Sequence, residues 1–465
     1  MNELLSARPI LLFAPLVLAA SLLVARQTVA TPELVLAGAA GLLYVALTTW
    51  SLTAGLAVFT VLTFPEHLPS SAVSTLAKPA GLVLVFSWLL VMLSRRKDTP
   101  FLPRDQPLLM TLATCFLVWA AASALWATDA GETMTGLTRL LQVVLLLLIV
   151  HSAVRSTRDL QVLCWAFLVG ALFTAVYSMA TGSYSEAGRL SGIFDSNFFA
   201  AQLVAAMALG FFMVASVRGW SVRLLLAAML TTYVVAFALT QSRGGLLALG
   251  AALLAMVVFA GRWRPQSIAV ALIVVGIGVA YYGSFAASEV RQRITNVSAE
   301  GSAGRADEWR IGVEMLRDHP VAGVGLGNFS VLEPAYGIAD VDLLKPQYVF
   351  ENRLETHNTY LQVASELGLV GLGLVLTLVA GTFMAGIGAV RRFDRSGDVI
   401  GEALTRGLIV ATVGILSAYV FLSGLFEKQL WLLLGIVIAT HFVAKQQARH
   451  GPSSKNQPEP SGDAR

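Results

Sequence analysis

The chain has 465 residues, of which 56% are hydrophobic and 13% charged, with a formal net charge of +4. A soluble fold of this length has too little interior to hide so much apolar surface, and repeated uncharged runs of about 18 residues or more are membrane spans. Continuous rather than alternating runs exclude a β-barrel. The positive charge sits in short loops between runs, which speaks for orientation in a bilayer and against a nucleic-acid partner.

The first apolar run, about 9–25, is long for the core of a signal peptide and reads as an uncleaved span. Further spans are expected at about 33–48, 51–64, 71–93, 107–126, 134–150, 160–180, 195–217, 221–240, 244–260, 266–284, 359–389, 402–423 and 429–445. This gives about 12–14 spans, because neighbouring runs merge near Thr48 to Leu52 and the run at 51–64 is short enough to be re-entrant or tilted. The expected fold class is therefore all-α, a polytopic helical membrane protein. Cys115 and Cys164 both fall inside apolar runs and carry neither a disulfide nor a metal signal.

The loops alternate in charge. "SRRKDTPFLPR" at 94–104, "VRSTRD" at 154–159, "VRGWSVR" at 217–223, "GRWRP" at 261–265 and "RRFDR" at 391–395 are basic, and the loops between them are not. The positive-inside rule puts the basic set, and with it both termini, in the cytoplasm. The division expected is an N-terminal bundle at 1–284, one large periplasmic loop at 285–357, C-terminal helices at 358–446, and a disordered polar tail at 447–465. A loop of that length is functional or disordered. Here "ADEWRIGVEMLRD" places Ala306, Trp309, Val313 and Leu316 on one helical face, and "HPVAGVGLGNF" supplies turn glycines, so a small folded cap is expected.

Several polar groups near the outer face could carry chemistry. Arg243, in "LTQSRGGLLAL", is either a snorkelling arginine or one with a ligand, and Gly244 and Gly245 allow a tight turn or a close approach beside it. Arg305 and Arg310 offer planar forks suited to phosphate oxygens, or else pair with Asp307, Glu308 or Glu314 nearby in sequence. Arg291 and Arg293 are weaker candidates. His357 can accept a proton from a hydroxyl near neutral pH, or it is an interfacial bystander. Asn358 either caps the next helix or holds a ligand. Asn197, in "FDSNFFA", either caps a helix or lines a cavity. The acids Asp340 and Asp342 are a weak metal signal, and "GVGLGN" follows no strand, which makes nucleotide binding improbable. The remaining histidines have no metal-ligand spacing.

Taken in order, "FDSNFFA", "SRGG", "GR…W…HPVAGVGLGNF" and "ETHNTYLQVASELGLVG" resemble the O-antigen ligase and polymerase superfamily of bacterial membrane glycosyltransferases, over about 194–371. The resemblance implies a C-type glycosyltransferase-like fold with a large periplasmic loop over a membrane-facing cavity. It implies a glycan donor on undecaprenyl diphosphate and metal-independent, inverting transfer without a cofactor. In that family's pattern Arg243 and Arg305 fall on diphosphate-binding arginines and His357 on an essential histidine, with Arg310, Asn358 and Asn197 as secondary substrate contacts. A glycan, lipid A-core or a protein hydroxyl are all possible acceptors, and the setting is the bacterial inner membrane. A solute transporter is the rival of another class. It would show charged residues in mid-span and an internal repeat.

Overall fold

A computed structural model describes residues 32–66, 72–94, 99–184, 188–191, 195–285, 299–339 and 355–450. The apolar run at 9–25, Arg291, Arg293, Asp340 to Asp342 and the tail from 451 lie outside the described residues.

Fifteen helices carry the described chain, apart from single turns. They are α1 Pro32–Trp50, α2 Leu52–Leu62, α3 Ala72–Leu93, α4 Pro107–Ala122, α5 Ala130–Ala153, α6 Thr157–Thr181, α7 Ser196–Ser216, α8 Trp220–Thr240, α9 Arg243–Phe259, α10 Arg264–Ala280, α11 Ala299–Asp318, α12 Phe329–Ala339, α13 Thr359–Ser396, α14 Val399–Ala418 and α15 Lys428–His450. Their starts are written in the sequence. Side chains of Ser51, Asp129, Ser156, Asp195, Ser242, Asn358 and Asp398 accept the first free backbone N–H groups of the helices they precede.

Ten of the described helices are long and apolar enough to cross a membrane, and three shorter apolar helices accompany them. Every span expected within the described residues coincides with a helix. The protein is thus an all-α, multi-span membrane protein. The run at 51–64 is the exception in length, because α2 rises only about 16 Å against a hydrocarbon core of about 30 Å. The chain folds back at Ser51, so that Tyr44 donates to the Gly55 carbonyl at 3.2 Å and Gly55 lies against Thr48, where a Cβ would not fit.

Among the described residues the basic loops at 154–159, 217–223, 261–265 and 391–395 gather at one end of the bundle, the basic end, where Thr157 meets Asp398, Gln161 reaches the Ser216 carbonyl and Arg262 meets Asp394. There Glu402, almost fully buried, lies between Arg262 at 2.7 Å and Arg406 at 2.8 Å, tying the α9–α10 turn to α14. The centre is α7, α14 and α15, whose residues are mostly buried, with α14 packed on α7 and α9 and α15 on α5 and α13. Around it, α3, α8 and α10 show leucines, isoleucines and valines outward, as a bilayer-facing surface requires.

At the opposite end α11 and α12 form a cap with its own small core of Ile311, Met315, Val324 and Phe329. The buried face of α11 is not the one that apolar periodicity selects. Val313 is exposed, whereas Asp307 and Glu308 are buried together with Ile311 and Met315. The helix turns two carboxylates inward because its inner face meets polar groups on α13 as well as the cap core.

The loop joining α11 to α12 fixes the cap to the bundle. α13 is broken at Gly368 (φ 67°, ψ −173°), which frees carbonyls that lipid would leave unpaired. Those of Ser365 and Glu366 accept from Val324 N–H (2.9 Å) and Gly325 N–H (2.8 Å), that of Leu367 accepts from Trp119 Nε1 (2.8 Å), and Leu369 N–H donates to the Pro320 carbonyl (2.8 Å). A Cβ on Gly323 would stand 2.3 Å from the Glu366 carbonyl carbon, and one on Gly368 would stand 2.0 Å from the Val321 oxygen. Next along the loop, the buried Asn328 side chain accepts from Asp129 N–H and donates to Asp129 O, Thr133 Oγ1 and Leu326 O. The glycines of "GVGLGN" therefore serve backbone-to-backbone docking. They also move the start of the bilayer-spanning part of α13 toward Gly368, which leaves residues 359–367 in contact with the cap.

Candidate active site

α11 packs on the start of α13 where the cap covers the bundle. His357 precedes α13 with φ 45°. Among the described residues the other non-glycine position with positive φ is Gln241, at 47°, just before Arg243. Left-handed backbone costs a side-chain-bearing residue about 1–2 kcal/mol and persists where neighbours enforce it, often at functional sites.

The enforcement at His357 is visible. Trp309 Nε1 donates to the Thr356 carbonyl at 3.0 Å, Thr356 Oγ1 bonds to Asn358 O and to Ser423 Oγ, and Asn358 Oδ1 accepts from Tyr360 and Leu361 N–H. Thr359 Oγ1 donates to Leu422 O at 2.6 Å and accepts from Gly424 N–H. Asn358 is thus the helix cap, and its side-chain oxygen is committed to that role.

The imidazole Nδ1 of His357 lies 3.0 Å from Glu308 Oε2 and 3.0 Å from the Glu355 carbonyl oxygen. Both partners only accept, so Nδ1 carries the proton, and the neutral ring presents Nε2 as a lone pair. Glu308 is 1% exposed in its side chain, while His357 remains 35% exposed. The hydrogen bond to Glu308 raises the histidine's pKa above its ordinary value, burial opposes this, and the charges of Glu308 and Arg305 act in opposite directions. The group is therefore a stronger base than a free imidazole, held in one tautomer, with one nitrogen reachable.

Arg305 is half-buried and near enough to His357 for its charge to be felt. Among the described residues it forms no ion pair with Asp307, Glu308 or Glu314. Arg310 does take the local alternative, 3.7 Å from Asp307 on the same helix and about half exposed. Arg243 opens α9, whose first turn abuts the same region. Gly244 faces Phe421, where a Cβ would be at 3.3 Å, and Gly245 lies against Ala200. Phe421 is also the ring neighbour of Trp309, with centroids 6.1 Å apart, so the first turn of α9 and the chain at Thr356 are linked through Phe421 and Trp309.

Asn197 is not only a residue of the first turn of α7. Its Oδ1 accepts from Ser242 Oγ at 2.8 Å and from Arg189 Nη2 at 2.9 Å, and Arg189 Nε donates to Thr240 O at 3.0 Å. These bonds brace the left-handed Gln241 turn that aims Arg243. Sequence reasoning missed Arg189 and undervalued Glu308, which it weighed only as an ion-pair partner for arginine. The signal for Glu308 was its position one turn from Arg305, facing an adjacent strand of polar chain that no local spacing reveals.

The arrangement joins a base held in one tautomer by Glu308 and the Glu355 carbonyl to the nearby charge of Arg305, at the cap end of the bundle. It suits deprotonation of a hydroxyl beside a polyanionic group. Residues 224–376 match the model of a family described as O-antigen ligase. The match covers about a third of the chain and includes Arg243, Arg305, Glu308, Arg310, His357 and Asn358, while Arg189 and Asn197 precede it. It agrees with the superfamily to which the sequence motifs point and places this segment among glycosyltransferase-like enzymes of the O-antigen ligase and polymerase type, which act in surface-polysaccharide biosynthesis. No curated protein matches the chain.

Proposed function

We propose that this chain, built around an O-antigen ligase domain, transfers a glycan from undecaprenyl diphosphate to an acceptor hydroxyl at the cap end of the membrane. The observation that carries the reading is the Glu308–His357 pair beside Arg305. In this reading the basic end and both termini are cytoplasmic, the membrane is the bacterial inner membrane, and the site is periplasmic. The fold is of the C type of glycosyltransferase.

His357 Nε2 takes the proton of the acceptor hydroxyl as its oxygen attacks the anomeric carbon. The new carbon–oxygen bond forms on the face opposite the diphosphate, and the bond to the phosphate oxygen breaks with its electron pair. The product is inverted and the lipid diphosphate leaves. Arg243 and Arg305 offset the charge that grows on that oxygen, a role in which a metal is not required. Glu308 stabilises the imidazolium and keeps the ring oriented, and the proton passes from His357 to water once the product leaves. Arg310 and Asn358 belong to the rim of this site through Asp307 and the helix cap. Asn197 acts through Ser242 on Arg243.

The same chemistry serves a ligase, with lipid A-core as acceptor, or a polymerase, with a second lipid-linked repeat. Purified protein is incubated with an undecaprenyl-diphosphate oligosaccharide, with and without lipid A-core, beside folded His357→Ala protein. A single product that needs lipid A-core identifies a ligase, and a ladder without it a polymerase. Transfer that survives His357→Ala refutes the site. Failure of the wild type with every acceptor, protein hydroxyls included, moves the assignment to solute transport.

A further inference from the structure

A cavity lies away from His357, between α2, α3, α5 and the first residue of α15. Its volume is about 290 Å³, near the lower bound of about 300 Å³ for small-molecule sites. Phe59, Leu82, Val85 and Leu146 are among its apolar walls, and its polar groups are Gln142, Lys78, Glu66 and Lys428. Lys428 and Glu66 neutralise one another at 2.5 Å. Lys78 is exposed and pairs with no described residue, so the cavity keeps one uncompensated positive charge.

The charge has a definite height. Trp88 Nε1 donates to Ser152 near the basic end of α5, so α3 runs from the cap end at Ala72 toward the basic end. At 1.5 Å per residue Lys78 stands about 3 Å inside the cap-end boundary of the apolar stretch Leu76–Leu93. A lysine at that depth is costly unless it reaches up to the interface or finds an anion. The apolar walls continue below it along α3 to Val85 and along α5 to Ile149. Cation above and hydrocarbon below is the complement of a phosphate with an acyl chain.

We propose that this cavity binds an anionic phospholipid of the cap-end leaflet, with its phosphate on Lys78 and one acyl chain between α3 and α5. A zwitterionic lipid brings its own cation beside Lys78 and is the poorer ligand.

The test is native mass spectrometry on the full chain in mild detergent, mixed with equal amounts of phosphatidylglycerol and phosphatidylcholine. The wild type is expected to hold one phosphatidylglycerol about tenfold more often than phosphatidylcholine, the effect of about 1.4 kcal/mol. Lys78→Gln should erase the preference and Lys78→Arg should keep it. Leu82→Trp, which thickens the cavity wall at an exposed position, should lower occupancy by either lipid while Lys78 is intact. Equal retention of both lipids by the wild type overturns the proposal, as does a preference that survives in monodisperse Lys78→Gln protein. If Lys78→Gln does not fold, unchanged occupancy in Leu82→Trp overturns it alone.

Discussion

Replacing Glu308 by Gln isolates the charge of the carboxylate from its hydrogen bond. The amide oxygen can still accept from Nδ1 of His357, so the tautomer survives and Nε2 stays available. What disappears is the negative charge 3.0 Å from the ring. A hydrogen bond to a charged group is worth about 1.5–3 kcal/mol and a neutral one about 0.5–1.5, so the imidazolium formed during proton transfer loses about 1–1.5 kcal/mol. This corresponds to about a tenfold fall in the rate plateau. The pH profile supplies the independent readout. Glu308 favours the protonated ring and raises its pKa, and the rate follows the neutral ring, so wild-type activity climbs with pH through an apparent pKa above the ordinary 6.5. Without the charge that limb moves toward lower pH. The assay is initial-rate transfer from an undecaprenyl-diphosphate glycan between about pH 5 and 9, with the KM for donor expected to stay near its wild-type value. A Glu308→Gln enzyme with both the plateau and the rising limb of the wild type refutes the role of the pair.

Arg305→Lys keeps a charge but loses the planar fork, and is expected to raise the donor KM about tenfold or more at unchanged fold, measured by donor titration. Gly323→Ala forces a Cβ into the Glu366 backbone at φ 67°, so the cap should separate from α13, which limited proteolysis of the loop joining α11 to α12 would report together with loss of transfer. Asn328→Ala removes four hydrogen bonds, two of them fully buried, and should cost about 2–4 kcal/mol, read as a lowered Tm in detergent. Folding stability should also depend on pH through the Glu308–His357 pair. Because the folded pKa of His357 is raised, the pair's contribution is full below the unfolded value near 6.5 and is lost as pH rises through the folded one, so the Tm difference between wild type and Glu308→Gln should shrink on going from pH 6 to pH 9.

Helix positions were legible because a bilayer demands long uncharged runs, and the runs at 107–126, 160–180 and 221–240 became α4, α6 and α8 with small shifts at their ends. The caps were legible too, since Asp195 and Asn358 stand where the first free N–H groups fall. The cap helix was not. Apolar periodicity chose the face of Val313, and the structure buries Asp307 and Glu308 instead, because a carboxylate facing a partner across the fold, as Glu308 faces His357, looks in sequence like a solvated one. The break in α13 was hidden for a related reason. Gly368 sits in an apolar run, and only the distant loop at 319–328, whose N–H groups meet the freed carbonyls, makes the break affordable in a membrane.

That loop also bears on how three separate pieces of chain could form the proposed site. Arg243 belongs to α9, Arg305 and Glu308 to α11, and His357 to the entry of α13. A shift of the cap by one ångström would separate Glu308 from Nδ1. The cap is held on one side by the broken turn of α13 and on the other by the Asn328 side chain on the first turn of α5, so its position is set by groups other than those of the proposed site. The two left-handed residues, Gln241 and His357, stand where the chain must turn sharply to bring its polar groups inward. Their strain is offset by the braces at Asn197 and Arg189 on one side, and at Thr356 and Trp309 on the other. The acting residues are then free to be chosen for chemistry, and mutations in the braces should weaken transfer before they unfold the bundle.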